Sequence, residues 1–86
     1  MDMGAVEGEV KTIVAGVLNV KFPRITAYAD FVVNLEADSL KIMDIIMDIE
    51  KKFNITVPSK DVGKIKNLAQ TVEYITEAIN KQKKLQ

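Results

Sequence analysis

"LEADSLKIMDIIMDIEKKF", residues 35–53, is the stretch on which the reading of the whole chain turns. Asp38 or Ser39 can each accept a first-turn amide as an N-cap, which predicts a helix from there to about Lys52, closed by Asn54. At 100° per residue, Ile42, Ile45, Ile46, Ile49 and Phe53 fall within roughly a 100° arc, the width of a core-facing stripe. Leu40, Met43 and Met47 fall on nearly the opposite side, within about a 60° arc, with Lys41, Asp44, Asp48 and Lys51 beside them and Glu50 on the other flank. A helix with one wet side does not need that second strip. Either the helix is central and buried all round, its methionines filling gaps, or the strip is a small apolar docking patch rimmed by charge. For docking, burying each of Leu40, Met43 and Met47 would contribute on the order of 1.5–3 kcal/mol before the costs of association. An exposed ion pair from Asp44 or Asp48 would add only about 0.2–1 kcal/mol. Apolar contact would then supply the affinity, and the acids would orient a basic partner.

Outward from this stretch the pattern stays helical. Val6, Val10, Ile13, Val14, Val17 and Leu18 recur at spacings of three and four, which predicts a first helix over residues 6–18. From Asn19 to Asp38 the periodicity fails and Pro23 interrupts. Phe22, Ile25, Phe31 and Leu35 remain as scattered apolar residues, so the segment reads as a long functional loop pinned onto the core. "VPSKDVGKI" predicts a short helical element, with Ser59 as its possible N-cap. Asn67 and Gln70 have capping-box spacing, and Leu68, Val72, Ile75 and Ile79 then share one face of a last helix that frays into "KQKKLQ". No repeat, linker or strand alternation appears. The expected architecture is all-α: one small antiparallel bundle over residues 1–86 with three longer helices, a short third one and a long loop between the first two.

The 86 residues are 48% hydrophobic and 28% charged, with no net charge. That composition suits one soluble domain with one core. No apolar run approaches the ~18 residues of a membrane helix and the N-terminus is acidic, so no membrane insertion and a cytoplasmic address are expected. There is neither cysteine nor histidine. Thiolate nucleophiles, zinc-thiolate sites and the usual general base are therefore missing, which excludes most enzyme mechanisms. The acidic pairs Glu73 and Glu77, and Asp44 and Asp48, have the spacing of a loose metal site but read better as solvated faces, so no metal is expected. Lys81, Lys83 and Lys84 suit a helix C-terminus, and with zero net charge no nucleic-acid partner is expected. Ser39 can cap a helix. As an activated nucleophile it lacks a base. As an acceptor of a phosphodiester, it would profit from the first-turn amides and the positive end of the helix dipole.

Residues 36–75, "EADSLKIMDIIMDIEKKFNITVPSKDVGKIKNLAQTVEYI", resemble an acyl carrier protein. The Asp-Ser-Leu triplet, an apolar-acidic helix ending in Phe53, the turn at Val57 and Pro58, Lys64-Ile65 and a last helix through Tyr74-Ile75 carry the likeness. "EVKTIVAGVLNV", together with Phe31 ahead of Leu35, extends it over nearly the whole chain. The resemblance implies a carrier, not an enzyme, whose Asp38-Ser39 pair marks the attachment point: Ser39 receives 4'-phosphopantetheine from coenzyme A through a magnesium-dependent phosphopantetheinyl transferase. A chain without cysteine would then obtain its thiol on a prosthetic arm. The resemblance further implies that Leu40, Met43, Asp44, Met47, Asp48 and Glu50 meet acyl-transfer and synthase enzymes of fatty acid and lipid biosynthesis. A bundle interior of Val6, Val10, Ile13, Ile45, Ile49, Val72 and Ile75 would shelter the cargo, and a monomer fits a carrier that shuttles. Lys41, Lys51, Lys52, Lys60 and Lys64 stand where housekeeping carriers are acidic, which points to a specialised member. Glu36 replaces the glycine that commonly precedes Ala-Asp-Ser, and a non-glycine resists any positive φ needed there. Carriage of aminoacyl or polyketide intermediates, and an unmodified helical adaptor, are the alternatives.

Overall fold

Asp38 and Asn54 bracket the central helix as expected, and similar punctuation sets the other elements. In the computed structural model, which describes residues 3–84, the chain forms α1 (Met3–Leu18), α2 (Ser39–Phe53) and α3 (Leu68–Lys84). Two 3₁₀ turns, Phe22–Arg24 and Ser59–Lys64, complete the order. No strand occurs among the described residues. α1 begins one turn before the expected start. It ends where Asn19 adopts a left-handed conformation (φ 55°) and the Val20 amide donates to the Ala15 carbonyl at 3.3 Å. α2 ends the same way: Asn54 (φ 53°) and Ile55 both donate to the Glu50 carbonyl. These are left-handed caps that asparagine tolerates better than most residues. At the start of α3, the Asn67 side-chain oxygen accepts the Gln70 amide at 2.8 Å, which is the N-cap half of the expected box. The last helix continues to Lys84 where fraying was expected from Lys81; Leu85 and Gln86 lie outside the described residues.

The apolar stripes meet in one core. Val6, Val10 and Val14 of α1, Ile45, Ile46 and Ile49 of α2, and Leu68, Val72 and Ile75 of α3 are all buried. Ile13, Ile42 and Ile79 are half-buried around them. α1 packs against both other helices, and the radius of gyration of 12.2 Å matches the ~12 Å of a close-packed chain of this length. The long loop is therefore folded onto the bundle. Ile25, Phe31 and Leu35 are its pins, each at most 5% exposed, whereas Phe22 is 49% exposed and does not pin it. Phe22 lies inside the 3₁₀ turn that Pro23 shapes, and this geometry leaves its ring toward water. Backbone bonds finish the attachment: Phe31 donates to the Lys66 carbonyl and Ala69 to that of Ala27. Ser59 is not an N-cap either. Pro58 holds that position, its carbonyl accepting the Asp61 amide, and no side chain caps the turn.

Candidate functional site

Ser39 is the first residue of α2, and the capping role belongs to its neighbour. Asp38 is extended (ψ −179°), and its Oδ1 accepts the Lys41 amide at 2.9 Å while its carbonyl accepts that of Ile42. Among the described residues the Ser39 hydroxyl makes no hydrogen bond and the side chain is exposed. The amides of Ser39 and Leu40 are likewise unspent, so the start of α2 offers a free hydroxyl beside two free N–H groups and the positive end of a four-turn dipole. The loop delivers the serine through a strained residue. Glu36 has φ 61°, the left-handed conformation that a non-glycine holds at a cost of about 1–2 kcal/mol, and Ala37 is then buried and tied by its amide to the Phe31 carbonyl.

Below Ser39 the outer face of α2 is open. Leu40 is 74% exposed, Met43 45% and Met47 48%. The all-round-buried alternative is thereby excluded, since the outer strip from Leu40 to Met47 faces solvent over about two helical turns. Lys41, Asp44, Asp48 and Lys51 along its edge are exposed and join no ion pair among the described residues. Glu50 differs: half-buried, it accepts the Val57 amide at 2.9 Å and braces the chain after α2. Its carboxylate is engaged inside the protein and is not free on the strip as Asp44 and Asp48 are.

One turn on from Ser39, Ile42 belongs to the wall of a cleft of about 330 Å³ that it shares with Phe31, Val32, Val33, Val62 and Ile65. Val32 and Val33 escape sequence reasoning because they lie in an aperiodic loop. The available signal is the flanking pair of Asp30 and Asn34: Asp30 Oδ1 accepts both valine amides at 2.8 and 2.9 Å, and Asn34 Oδ1 accepts the Asp30 amide at 2.8 Å. Such side-chain-closed turns are a habit of Asx residues. They hold two exposed valines in fixed positions at the cleft rim. Across the cleft the 59–64 turn is latched to α3, because Tyr74 donates to Asp61 Oδ2 at 2.7 Å and Lys64 pairs with Asp61 Oδ1 at 3.3 Å. Desolvation, helped by the bond to Asp61, raises the Tyr74 pKa to about 12. The Tyr74 hydrogen bond in turn holds the Asp61 carboxyl below its ordinary value. No cluster of three or more metal-ligating side chains occurs among the described residues, and no described helix is long and apolar enough to cross a membrane.

Comparison with known proteins meets this geometry. The family model described as "Phosphopantetheine attachment site" matches residues 8–75. An acyl carrier protein of Brachyspira hyodysenteriae is 44% identical over 70 residues, 80% of this chain and 90% of its own. One from Buchnera aphidicola subsp. Schizaphis graminum is 38% identical over 82 residues, 95% of this chain and all of its own. The solved structure of an acyl carrier protein from Enterococcus faecalis, titled for its high thermal stability, superposes with a TM-score of 0.77 at 23% identity, covering 91% of this chain and 99% of that one. At that identity it speaks for the fold alone.

Proposed function

The chain belongs to the acyl carrier protein family, and from that premise we propose that Ser39 is where its phosphopantetheine arm is attached. The family carries acyl groups and is not a family of catalysts; the arm, when bound, supplies the thiol that forms the thioester. The observation that carries the assignment is the division of labour at the start of α2: Asp38 caps the helix, which leaves the Ser39 hydroxyl exposed and unbonded. The residues fit the group. The hydroxyl supplies the ester oxygen, and the unspent Ser39 and Leu40 amides lie at the helix end that favours a phosphate's negative charge. The chain itself has no cysteine to form a thioester.

Partner enzymes, a phosphopantetheinyl transferase first and acyl-transfer or synthase enzymes after it, grip the outer strip of Leu40, Met43 and Met47. Asp44 and Asp48 orient a basic partner, and Lys41 and Lys51 interrupt that acidity. A lysine in the first turn opposes the helix dipole, and within that turn no acid accompanies it, the Asp38 cap being the one carboxylate at this end of α2. This supports a partner set tuned to mixed charge and a dedicated pathway. The Buchnera relative, matched over its full length, supports reading residues 1–86 as one carrier unit. Incubating the apo-protein with coenzyme A, magnesium and a promiscuous phosphopantetheinyl transferase tests the assignment by intact mass. One prosthetic group should be added to the wild type and none to Ser39→Ala; a labelled Ser39→Ala protein refutes it.

A further inference from the structure

The chain has four methionines and no cysteine, so thioethers are its only sulfur. Met43 and Met47 stand one helical turn apart, each about half exposed, on the strip that Leu40 begins. Met3, 55% exposed, lies away from it beside Ala27 and Leu68. We propose that Met43 and Met47 are a redox-modifiable element of the docking strip: oxidation to sulfoxides by hydrogen peroxide weakens the docking of partner enzymes, and reduction restores it. The inference rests on reading that strip as the docking surface.

The chemistry balances without help from the fold. A thioether lone pair attacks one peroxide oxygen, the S–O bond forms as the O–O bond breaks, and the departing oxygen leaves as water after taking the proton. Sulfur is oxidised by two electrons and the peroxide is reduced. The reverse step, by a thiol-dependent sulfoxide reductase, converts two thiols to a disulfide and releases the oxygen as water.

The geometry confines the effect to docking. Ile45, Ile46 and Ile49, which hold α2 in the core, are on the opposite side, so a sulfoxide at position 43 or 47 stays in water and leaves the bundle intact. Against an apolar partner surface the same S=O dipole must be stripped of water without a hydrogen-bond donor assured. Two modified side chains out of the three apolar ones spoil most of the strip.

The test uses apo-protein, so that no arm thiol competes for oxidant. After hydrogen peroxide, with oxidation sites mapped by peptide mass spectrometry and peroxide removed by catalase, loading by the transferase is timed. Protein oxidised at Met43 and Met47 should load with kcat/KM at least about tenfold lower, or about 1.4 kcal/mol, with unchanged far-UV circular dichroism and with recovery after sulfoxide reductase. Met43→Leu/Met47→Leu, whatever its starting rate, should lose nothing on peroxide treatment. An unchanged rate in the oxidised protein, an equal loss in the leucine variant, or loss of helical signal in step with loss of loading would each overturn the proposal. Failure of the untreated wild type to load at all would instead refute the attachment reading beneath it.

Discussion

α2 has two apolar sides with opposite fates. Ile45, Ile46 and Ile49 are at most 2% exposed, while Leu40, Met43 and Met47 are between 45% and 74% exposed. Side-chain hydrophobicity does not separate the two sets. What separates them is a neighbour: α1 covers the inner side, and among the described residues no element covers the outer one. An apolar stripe thus records that a surface is meant to be covered, and the bundle shows whether the cover belongs to the same chain.

The comparison is broken most directly by paired truncation. Ile49→Ala should cost about 2–5 kcal/mol of stability, a large share of the roughly 4–13 kcal/mol expected for a domain of this size. Met47→Ala should stay within about 0.5 kcal/mol. Urea denaturation reads both, and equal losses would make the outer strip structural. Leu40→Asp inverts the pattern: loading by the transferase should weaken by an amount on the order of 1.5–3 kcal/mol, with the urea midpoint unmoved. Asp38→Ala touches the end that both sides share, so removing the cap should lower stability by about 1 kcal/mol and slow loading as well. Glu36→Gly should release backbone strain and raise stability by at most about 1 kcal/mol, a gain visible as a higher melting temperature.

A pH series separates the fold from the docking strip through the latch between the 59–64 turn and α3. The Tyr74 pKa is raised to about 12, above the ordinary tyrosine value of about 10. The latch stability is therefore fully present below about pH 10 and is lost as pH climbs toward 12. The Asp61 carboxyl is lowered, so its contribution is present above the ordinary carboxylate value and is lost as pH falls below it. Tyr74→Phe should flatten the alkaline loss of stability while leaving the loading rate at neutral pH unaltered. Denaturation midpoints between pH 9 and 12 check the first part.

The helices and the core were legible because they are periodic and locally signalled. The stripes of α1, α2 and α3, the alternatives Asp38 and Ser39 at one end of α2 and Asn54 at the other were all readable from spacing and capping chemistry. The family likeness singled out Ser39; the structure contributes the reason its hydroxyl is free, namely that Asp38 takes the cap. Phe22 was misread because a lone aromatic in an aperiodic loop carries no directional information, and Pro23 turned it outward. Ser59 was misread because a serine after proline looks like a cap, although the proline carbonyl had already taken the role. The positive φ at Glu36 was readable only as a conflict with the family's glycine. The Asp30–Asn34 turn is local and was signalled only by its two Asx residues, whereas the loop's bonds to Lys66 and Ala69 join residues far apart in the chain, which no local pattern encodes.

The chain has two serines, and each is the first residue of a helical segment: Ser39 opens a fifteen-residue helix behind an aspartate cap, Ser59 a six-residue turn with no side-chain cap. Fragment-resolved mass spectrometry of the transferase-loaded wild type asks which oxygen carries the arm. A single phosphopantetheine confined to the fragment ions containing Ser39 is the result expected here. The same group on Ser59, or spread over both, would contradict the claim that the start of α2 is what makes a serine an attachment site.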